Sequence, residues 1–326
     1  MDDLNRIEPP LKTIPWNNHG GALSFTFDDG HDSQLSILAP MLDSMPEIKV
    51  TFFLSGITQQ QRSHQIKGFA ELISKGHEIG NHTFDHPYLT KLTEPEDLQR
   101  QILGYAENLE NIFRNKDYKV STFATPYCAN NAKIQAIIDK RHFINRDCGW
   151  SGYYRWEEEP AWLSIMSKAW NRKETTVEDI KSIIDSATEH SKGGWAILLN
   201  HGIAEDSDEY NIDPQDMKAI FAHAINDTIW VAPFGTIGSY YRAHFVLDAT
   251  HAQKTGEGYQ MKWDLPHPYM PQSIPLKVKF NHKWLTQAFS SPKQVVIVQG
   301  ERIVHPDDNG IYTIEFTKRS LSIRKK

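Results

Sequence analysis

Two adjacent carboxylates, Asp28 and Asp29, close the apolar run Leu23-Ser24-Phe25-Thr26-Phe27 and are followed at once by Gly30. Such a pair can divide its work, one carboxylate binding a cation while its neighbour moves protons. By itself, Asp-Asp-Gly at the end of an apolar run is an ordinary turn. It gains meaning from His82 and His86, whose spacing predicts two imidazoles on one face of a helical turn. Neutral imidazole is a good ligand for zinc and similar divalent ions. A set of Asp29, His82 and His86 would leave coordination positions open for water and substrate, as hydrolytic metals require. Two further clusters have the same character. In Thr122-Phe123-Ala124-Thr125-Pro126-Tyr127 a strand-like run enters a Pro-Tyr turn, and in Leu198-Leu199-Asn200-His201-Gly202 a histidine leaves an apolar run at a glycine. Taken singly, these are a turn and a half-buried histidine.

The elements that must position these groups are legible as short β-rich runs alternating with helical patterns between residues 22 and about 240. Strands are predicted at Ala22 to Phe27, Val50 to Ser55, Glu78 to Gly80, Ser121 to Ala124, His142 to Asn145, Trp195 to Leu199 and Thr228 to Ala232. Thr93 with Glu96, and Asp213 with Pro214 and Asp216, are capping-type helix starts, and Gly76 after the stretch 66–75 is a helix stop. Seven such units predict an α/β fold, a distorted (β/α)7-type barrel. In (β/α)8 relatives chemistry gathers at the C-terminal ends of the strands. Each polar cluster begins where a predicted strand ends, so one mouth of the barrel collects them all.

After about Tyr241 the texture changes to the short runs Leu276 to Phe280, Gln294 to Val298, Tyr312 to Phe316 and Leu321 to Ile323, separated by turn residues such as Pro306-Asp307-Asp308-Asn309-Gly310. The division expected is a barrel over 1–244 and a small C-terminal all-β domain, sandwich-like, over 245–326.

In this order the four clusters resemble the polysaccharide deacetylase family (NodB homology, carbohydrate esterase family 4 type). Its pattern runs Thr-Phe-Asp-Asp-Gly, His-Ser/Thr-x-x-His, Arg-x-Pro-Tyr/Phe, Asp-x-x-Asp-Trp and Leu-x-His. The match extends from about Ala22 to His201, with Trp230-Val231-Ala232-Pro233-Phe234-Gly235 looking like the last strand of one branch. The resemblance implies Asp28 as general base, and Asp29, His82 and His86 as ligands of one divalent metal ion, Zn2+ first and Co2+ or another ion as the alternative. It implies Thr83 as a brace between the two histidines, Tyr127 as a backbone N–H donor to the oxyanion, and His201 as general acid. Leu199 and Trp150 would wall the acetyl pocket. The implied activity is metal-dependent removal of acetyl groups from a carbohydrate, an N-acetylated amino-sugar polymer or oligomer of the chitin or peptidoglycan kind. An O-acetyl esterase acting on acetylxylan and a carbohydrate-binding pseudoenzyme without turnover are the alternatives.

Two motifs depart from the pattern. The third should begin with Arg, and the position holds Ala124. In the family that Arg pairs with the catalytic Asp, and Arg146, just past the fifth predicted strand, is the expected substitute. The fourth motif, Asn145-Arg146-Asp147-Cys148-Gly149-Trp150, keeps a Trp but not the Asp pair, and Asp147 is a candidate to tune His201.

The bulk numbers fit a soluble globular protein. A formal charge of −6 with no clustered basic stripe excludes a nucleic-acid partner. No apolar run reaches the length of a membrane span, and Met1 to Asn18 lacks the basic-then-apolar pattern of a secretory signal. That N-terminus fits the cytoplasm as it stands, or export if a leader preceded it. The two cysteines, Cys128 and Cys148, exclude a disulfide framework; separate buried thiols are expected, with one bridge as the alternative. The rings between Trp150 and Trp170 read as core packing. Asn81-His82-Thr83 matches a glycosylation acceptor by chance.

Overall fold

Every residue of Gly21–Asp28 and of Gly194–Asn200 is buried. Strands without a polar face need cover on both sides, which is the signature of a parallel sheet wrapped by helices. A computed structural model shows this arrangement; it describes residues 9–114, 118–150, 152–189, 192–204, 208–256, 258–289 and 295–325. Its main sheet runs in the order Ile144–Arg146, Thr122–Ala124, Glu78–Asn81, Thr51–Leu54, Gly21–Asp28 and Gly194–Asn200, all parallel, with Tyr154–Arg155 antiparallel at the end. All seven predicted barrel strands are present.

The fold is mixed α/β with a curled, half-barrel sheet. Gly21–Asp28 shares one edge between two neighbours, pairing with Ile229–Val231 through Gly21 to Leu23 and with Thr51–Leu54 through Thr26 to Asp28. On the far side, Arg146 bridges to Ile165, and Lys168–Ala169 then pairs with Gly194–Asn200. The short segment around 165–169 thus connects the two flanks of the curl. Between the strands lie Ile66–Ser74, Tyr105–Ile112, Ala132–Ile138, Val177–Glu189 and Pro214–Ala224. Their apolar faces pack on the outer face of the sheet, Ala132–Ile138 around Phe123 and Leu89 and the other four around Phe25, Phe27, Phe52, Ile79 and Leu198. Asp213 caps its helix as expected, accepting a hydrogen bond from the Gln215 N–H, and Gly76 (φ 88) ends the Ile66–Ser74 helix. Thr93 does not cap. Pro95 starts the helix Pro95–Gln99 one residue too late, so Glu94 takes the cap position and the Thr93 hydroxyl turns to the Glu94 carboxylate.

By contacts the chain divides into His19–Gly238 and a second unit of Met1–Asn18 with Ser239–Lys326. The texture of the sequence put this division at 244/245. The N-terminal segment joins the second unit through Leu11–Thr13, which pairs antiparallel with Pro275–Phe280, a partnership too distant along the chain to mark the local pattern. The second unit holds a three-stranded sheet (Leu11–Thr13, Pro275–Phe280, Tyr312–Glu315) and a five-stranded one (Ala252–Thr255, Gly258–Lys262, Ser320–Lys325, Val295–Gln299, Arg302–Val304). Gln294, expected at the start of one strand, lies outside the described residues.

Candidate active site

Asp28 is the last residue of its strand, and the chain then turns through Asp29 (φ 69) and Gly30 (φ 64). Two successive left-handed residues cost backbone energy unless held. The guanidinium of Arg62 holds them, donating from Nη1 to the Asp29 carbonyl at 2.8 Å and the Ser55 carbonyl at 2.7 Å, and from Nη2 to the Gly30 carbonyl. The buried amide of Gln34 donates to the Asp28 carbonyl at 2.6 Å and to the His201 carbonyl at 3.1 Å. One side chain thereby ties the first polar cluster to the last.

The two histidines follow the strand Glu78–Asn81, but in a loop and not on the helical turn that their spacing predicted. Thr83 (φ 69) and His86 (φ 52) are both left-handed, and Asn81 and Thr83 supply the hydrogen bonds that a helix would otherwise provide. The Asn81 side-chain oxygen accepts from the Thr83 N–H at 2.9 Å, and the Thr83 hydroxyl oxygen accepts from the His86 N–H at 3.1 Å. Asn81 is fully buried, which removes it as a glycosylation acceptor. His82 Nδ1 lies 2.8 Å from the Ala124 carbonyl. A carbonyl only accepts, so the ring proton sits on Nδ1 and the lone pair on Nε2.

That lone pair converges with two others. His82 Nε2 and His86 Nε2 are 3.1 Å apart, His86 Nε2 is 3.3 Å from Asp29 Oδ1, and His82 Nε2 is 3.6 Å from the same oxygen. A tetrahedral ion with bonds of about 2.0–2.1 Å sets its ligands roughly 3.3 Å apart. The donor set, one carboxylate and two imidazoles, and its spacing therefore fit a single divalent ion.

Arg146 ends the strand next to Ala124; the two residues are register partners on adjacent parallel strands. The missing arginine of the third motif is replaced one strand over. Its Nη2 donates to Asp28 Oδ2, with the Arg146 side chain 1% and the Asp28 side chain 4% exposed. The guanidinium also lies over the Phe53 ring at 5.4 Å. Asp28 Oδ1, also buried, accepts no hydrogen bond. Asp147 does not reach His201: its Oδ2 accepts from Asn130 Nδ2 and the Ser164 hydroxyl, both at 2.8 Å, while the buried His201 Nδ1 has no partner. The side chains of Arg146 and Asp147, successive along an extended segment, leave the strand in different directions.

Asp28, Asp29, His82, His86 and Arg146 line one cleft of about 1160 Å³, together with Tyr127, Leu199 and His201. Trp150 does not line it. Gly149 (φ 102) turns the chain between Cys148, which faces the cleft, and Trp150, which packs edge-on against Tyr153. Ala169, the register partner of Leu199, lies in the wall instead. Tyr127 (φ 53) occupies a turn whose backbone bonds run from Cys128 N–H to the Thr125 carbonyl and from Ala129 N–H to the Pro126 carbonyl; these leave the Tyr127 N–H aside. The cysteines are not separate thiols but a Cys128–Cys148 disulfide, since the two strand ends that precede them are neighbours.

Sequence reasoning also missed His31, 3.5 Å from Asp29 Oδ2, and Arg62, Gln34, Tyr88 and Tyr210. Only His31, two residues past Asp29, carried a local signal. Tyr88 stacks on Tyr127 with ring centres 3.9 Å apart, and Tyr210 lies beside His201.

Burial pushes the Asp29 carboxyl up, but the hydrogen bond from His31 and the histidines His82, His86 and His201 outweigh it and hold the group well below the carboxylate range. His82 and His201 are both pushed down, chiefly by burial, against the pull of Asp28 and Asp29. At His82 a neutral imidazole beside an ionised Asp29 is the protonation state that metal ligation needs.

The family description polysaccharide deacetylase matches residues 17–143, the stretch that carries Asp28, Asp29, His82, His86 and Tyr127. That segment is similar to the polysaccharide deacetylase family. A peptidoglycan-N-acetylglucosamine deacetylase of Bacillus cereus is 25% identical over 209 residues, 61% of this chain and 82% of its own length. The peptidoglycan-N-acetylglucosamine deacetylase PgdA of Listeria monocytogenes is 33% identical over 127 residues, 38% of this chain. A chitooligosaccharide deacetylase of Sinorhizobium fredii is 34% identical over 97 residues, 28% of this chain and 42% of its own length. The chain spans about a quarter (25%) of the length of the first of these curated relatives, the Listeria PgdA.

Proposed function

We propose that this protein removes acetyl groups from a carbohydrate by metal-dependent hydrolysis, and that its substrate is an N-acetylated amino-sugar chain. The observation that carries the reading is the Asp29–His82–His86 donor set beside an Arg146-paired Asp28 at the floor of one cleft. A divalent ion held by those three ligands, zinc first, supplies Lewis acidity towards an acetyl carbonyl oxygen.

The chain's own groups complete the chemistry. Arg146 keeps the Asp28 carboxylate engaged beside the proposed ion site, and that carboxylate takes a proton from attacking water. The Tyr127 N–H, left out of its turn's backbone bonding, donates to the developing oxyanion. His201 gives a proton to the departing nitrogen, which an amide needs more than an ester because amines leave poorly. Gln34 fixes the strand ends that carry the proton acceptor and the proton donor in one frame.

The cleft also favours a sugar chain. Tyr88, Tyr127 and Tyr210 are 43%, 53% and 47% exposed, and all three line it, so its rim offers ring faces for pyranose stacking. A binding protein without turnover is suggested by the missing motif arginine and the added β domain; the Arg146–Asp28 pair weighs against the first of these. The test is acetate release from chito-oligosaccharides, peptidoglycan fragments and acetylated xylan by zinc- or cobalt-loaded protein, with Asp28→Asn as control. Release from the first two and not by the variant is expected; release only from xylan would make it an esterase, and none from any would refute the activity.

A further inference from the structure

The chain's two cysteines form one bridge, and that bridge lies in the cleft wall. Cys128 directly follows Tyr127, and Cys148 stands two residues beyond Arg146, so the disulfide links the turn proposed to bind the oxyanion to the strand end that pairs with Asp28. Tyr127 and Cys128 both sit at φ 53. Successive left-handed residues that are not glycine persist only where their surroundings enforce them. Burial does not enforce this pair, because the Tyr127 side chain is half exposed. Closer to the strands the two segments are tied by Thr125 N–H to the Arg146 carbonyl at 3.1 Å and by Asn130 to Asp147 at 2.8 Å. At the turn itself the Tyr127 ring leans on Tyr88 and His86, and the covalent bridge braces the backbone at Cys128, with a Cα–Cα separation of 5.7 Å across 20 residues of sequence.

We infer that the Cys128–Cys148 bridge is a positioning element of the reaction: it holds the Tyr127 N–H where the oxyanion develops, and its reduction lowers turnover while the ion site stays intact. The inference rests on the deacetylase reading above. The ion site has supports of its own, since Asp29, His82 and His86 are held by Arg62, the Ala124 carbonyl and Thr83, although the His86 ring also meets that of Tyr127. A phosphine reductant breaks the S–S bond, two thiols form with protons from water, and the phosphine leaves as its oxide carrying the water oxygen.

The test compares zinc-loaded protein before and after full reduction by tris(2-carboxyethyl)phosphine, followed by thiol titration, with a Cys128→Ser/Cys148→Ser protein as second arm. Reduction is expected to lower kcat about tenfold or more, as loss of an oxyanion donor does, with KM and zinc content unchanged. The double variant should behave like the reduced protein and ignore the phosphine. Amide exchange at 127–129 should accelerate on reduction while exchange at 82–86 does not. Full kcat after complete reduction, or loss of zinc or of global fold along with activity, overturns the inference. If the oxidised protein releases no acetate from any substrate, the deacetylase reading fails by itself, and the exchange arm still decides whether the bridge holds the turn: unchanged exchange at 127–129 would overturn it.

Discussion

Replacing Arg146 by Ala should separate the sheet's need for a buried cation from the reaction's need for one. The pair it breaks is almost fully buried, 1% and 4% exposed at the side chains, and Asp28 Oδ1 has no other hydrogen bond to fall back on. Deleting one member of such a pair leaves a charge without compensation, and costs about 3–5 kcal/mol of stability. The activity loss should be of the order of a missing general base, roughly 10² to 10⁴-fold in kcat/KM at neutral pH. The acidic limb of the profile should move to higher pH, so that part of the loss recovers in alkali. Urea unfolding measures the first quantity and acetate release across pH the second. Register supplies a sharper control. Ala124 and Arg146 are partners on parallel strands, so their side chains leave the sheet on the same face. Ala124→Arg in the Arg146→Ala background should return the cation to Asp28 and restore at least part of both stability and rate. An Arg146→Ala protein with wild-type kcat/KM and an unmoved acidic limb would refute the reasoning, whatever its stability.

His77 gives a pH prediction outside the site. Burial, reinforced by Lys49, pushes it down to about 4, and its Nδ1 accepts the Val50 N–H at 3.2 Å, which requires the neutral ring. The unfolded chain therefore binds more protons between pH 6.5 and 4, and stability falls as pH falls through that window, by about 1.4 kcal/mol per unit from this group. His77→Asn, which keeps an acceptor but cannot titrate there, should flatten that loss in urea titrations at pH 7 and 5, and equal slopes for both proteins would count against it. His86→Ala should abolish zinc binding by calorimetry and the zinc-dependent rise in Tm, which for the wild type corresponds to about 2.7 kcal/mol at roughly 100 times Kd. Tyr88→Ala and Tyr210→Ala should each raise KM for oligosaccharides about 2- to 10-fold, as loss of a ring contact does, with kcat little changed; an equal fall in kcat would assign them a different role.

Much of this was legible in the sequence because strand ends are. Seven short apolar runs predicted the seven strands that carry the site, and the Asp, His, Tyr and His clusters followed directly after them. What local pattern could not show is what lies beside what. The disulfide, the pairing of Leu11–Thr13 with Pro275–Phe280 and the Gln34 bridge all join residues distant in the chain. The His82–His86 spacing was right about convergence and wrong about its means, since two left-handed residues and two side-chain hydrogen bonds do the work of a helical turn. Trp150 was misplaced by a single glycine, Gly149, whose backbone turns the ring away from the cleft. Arg146 was found by asking which cation stands at a strand end, a question of position and not of motif.

That last residue bears on how such chains diverge. Neighbouring positions on a parallel sheet put their side chains within reach of one buried partner, so a lineage could gain an arginine at 146 before losing one at 124, with a counter-ion against Asp28 at every step. A charge can thus drift sideways across a sheet while staying fixed in space. A search that scores the third motif letter by letter would discard this chain for its alanine. One that asks whether any guanidinium touches the carboxylate would keep it.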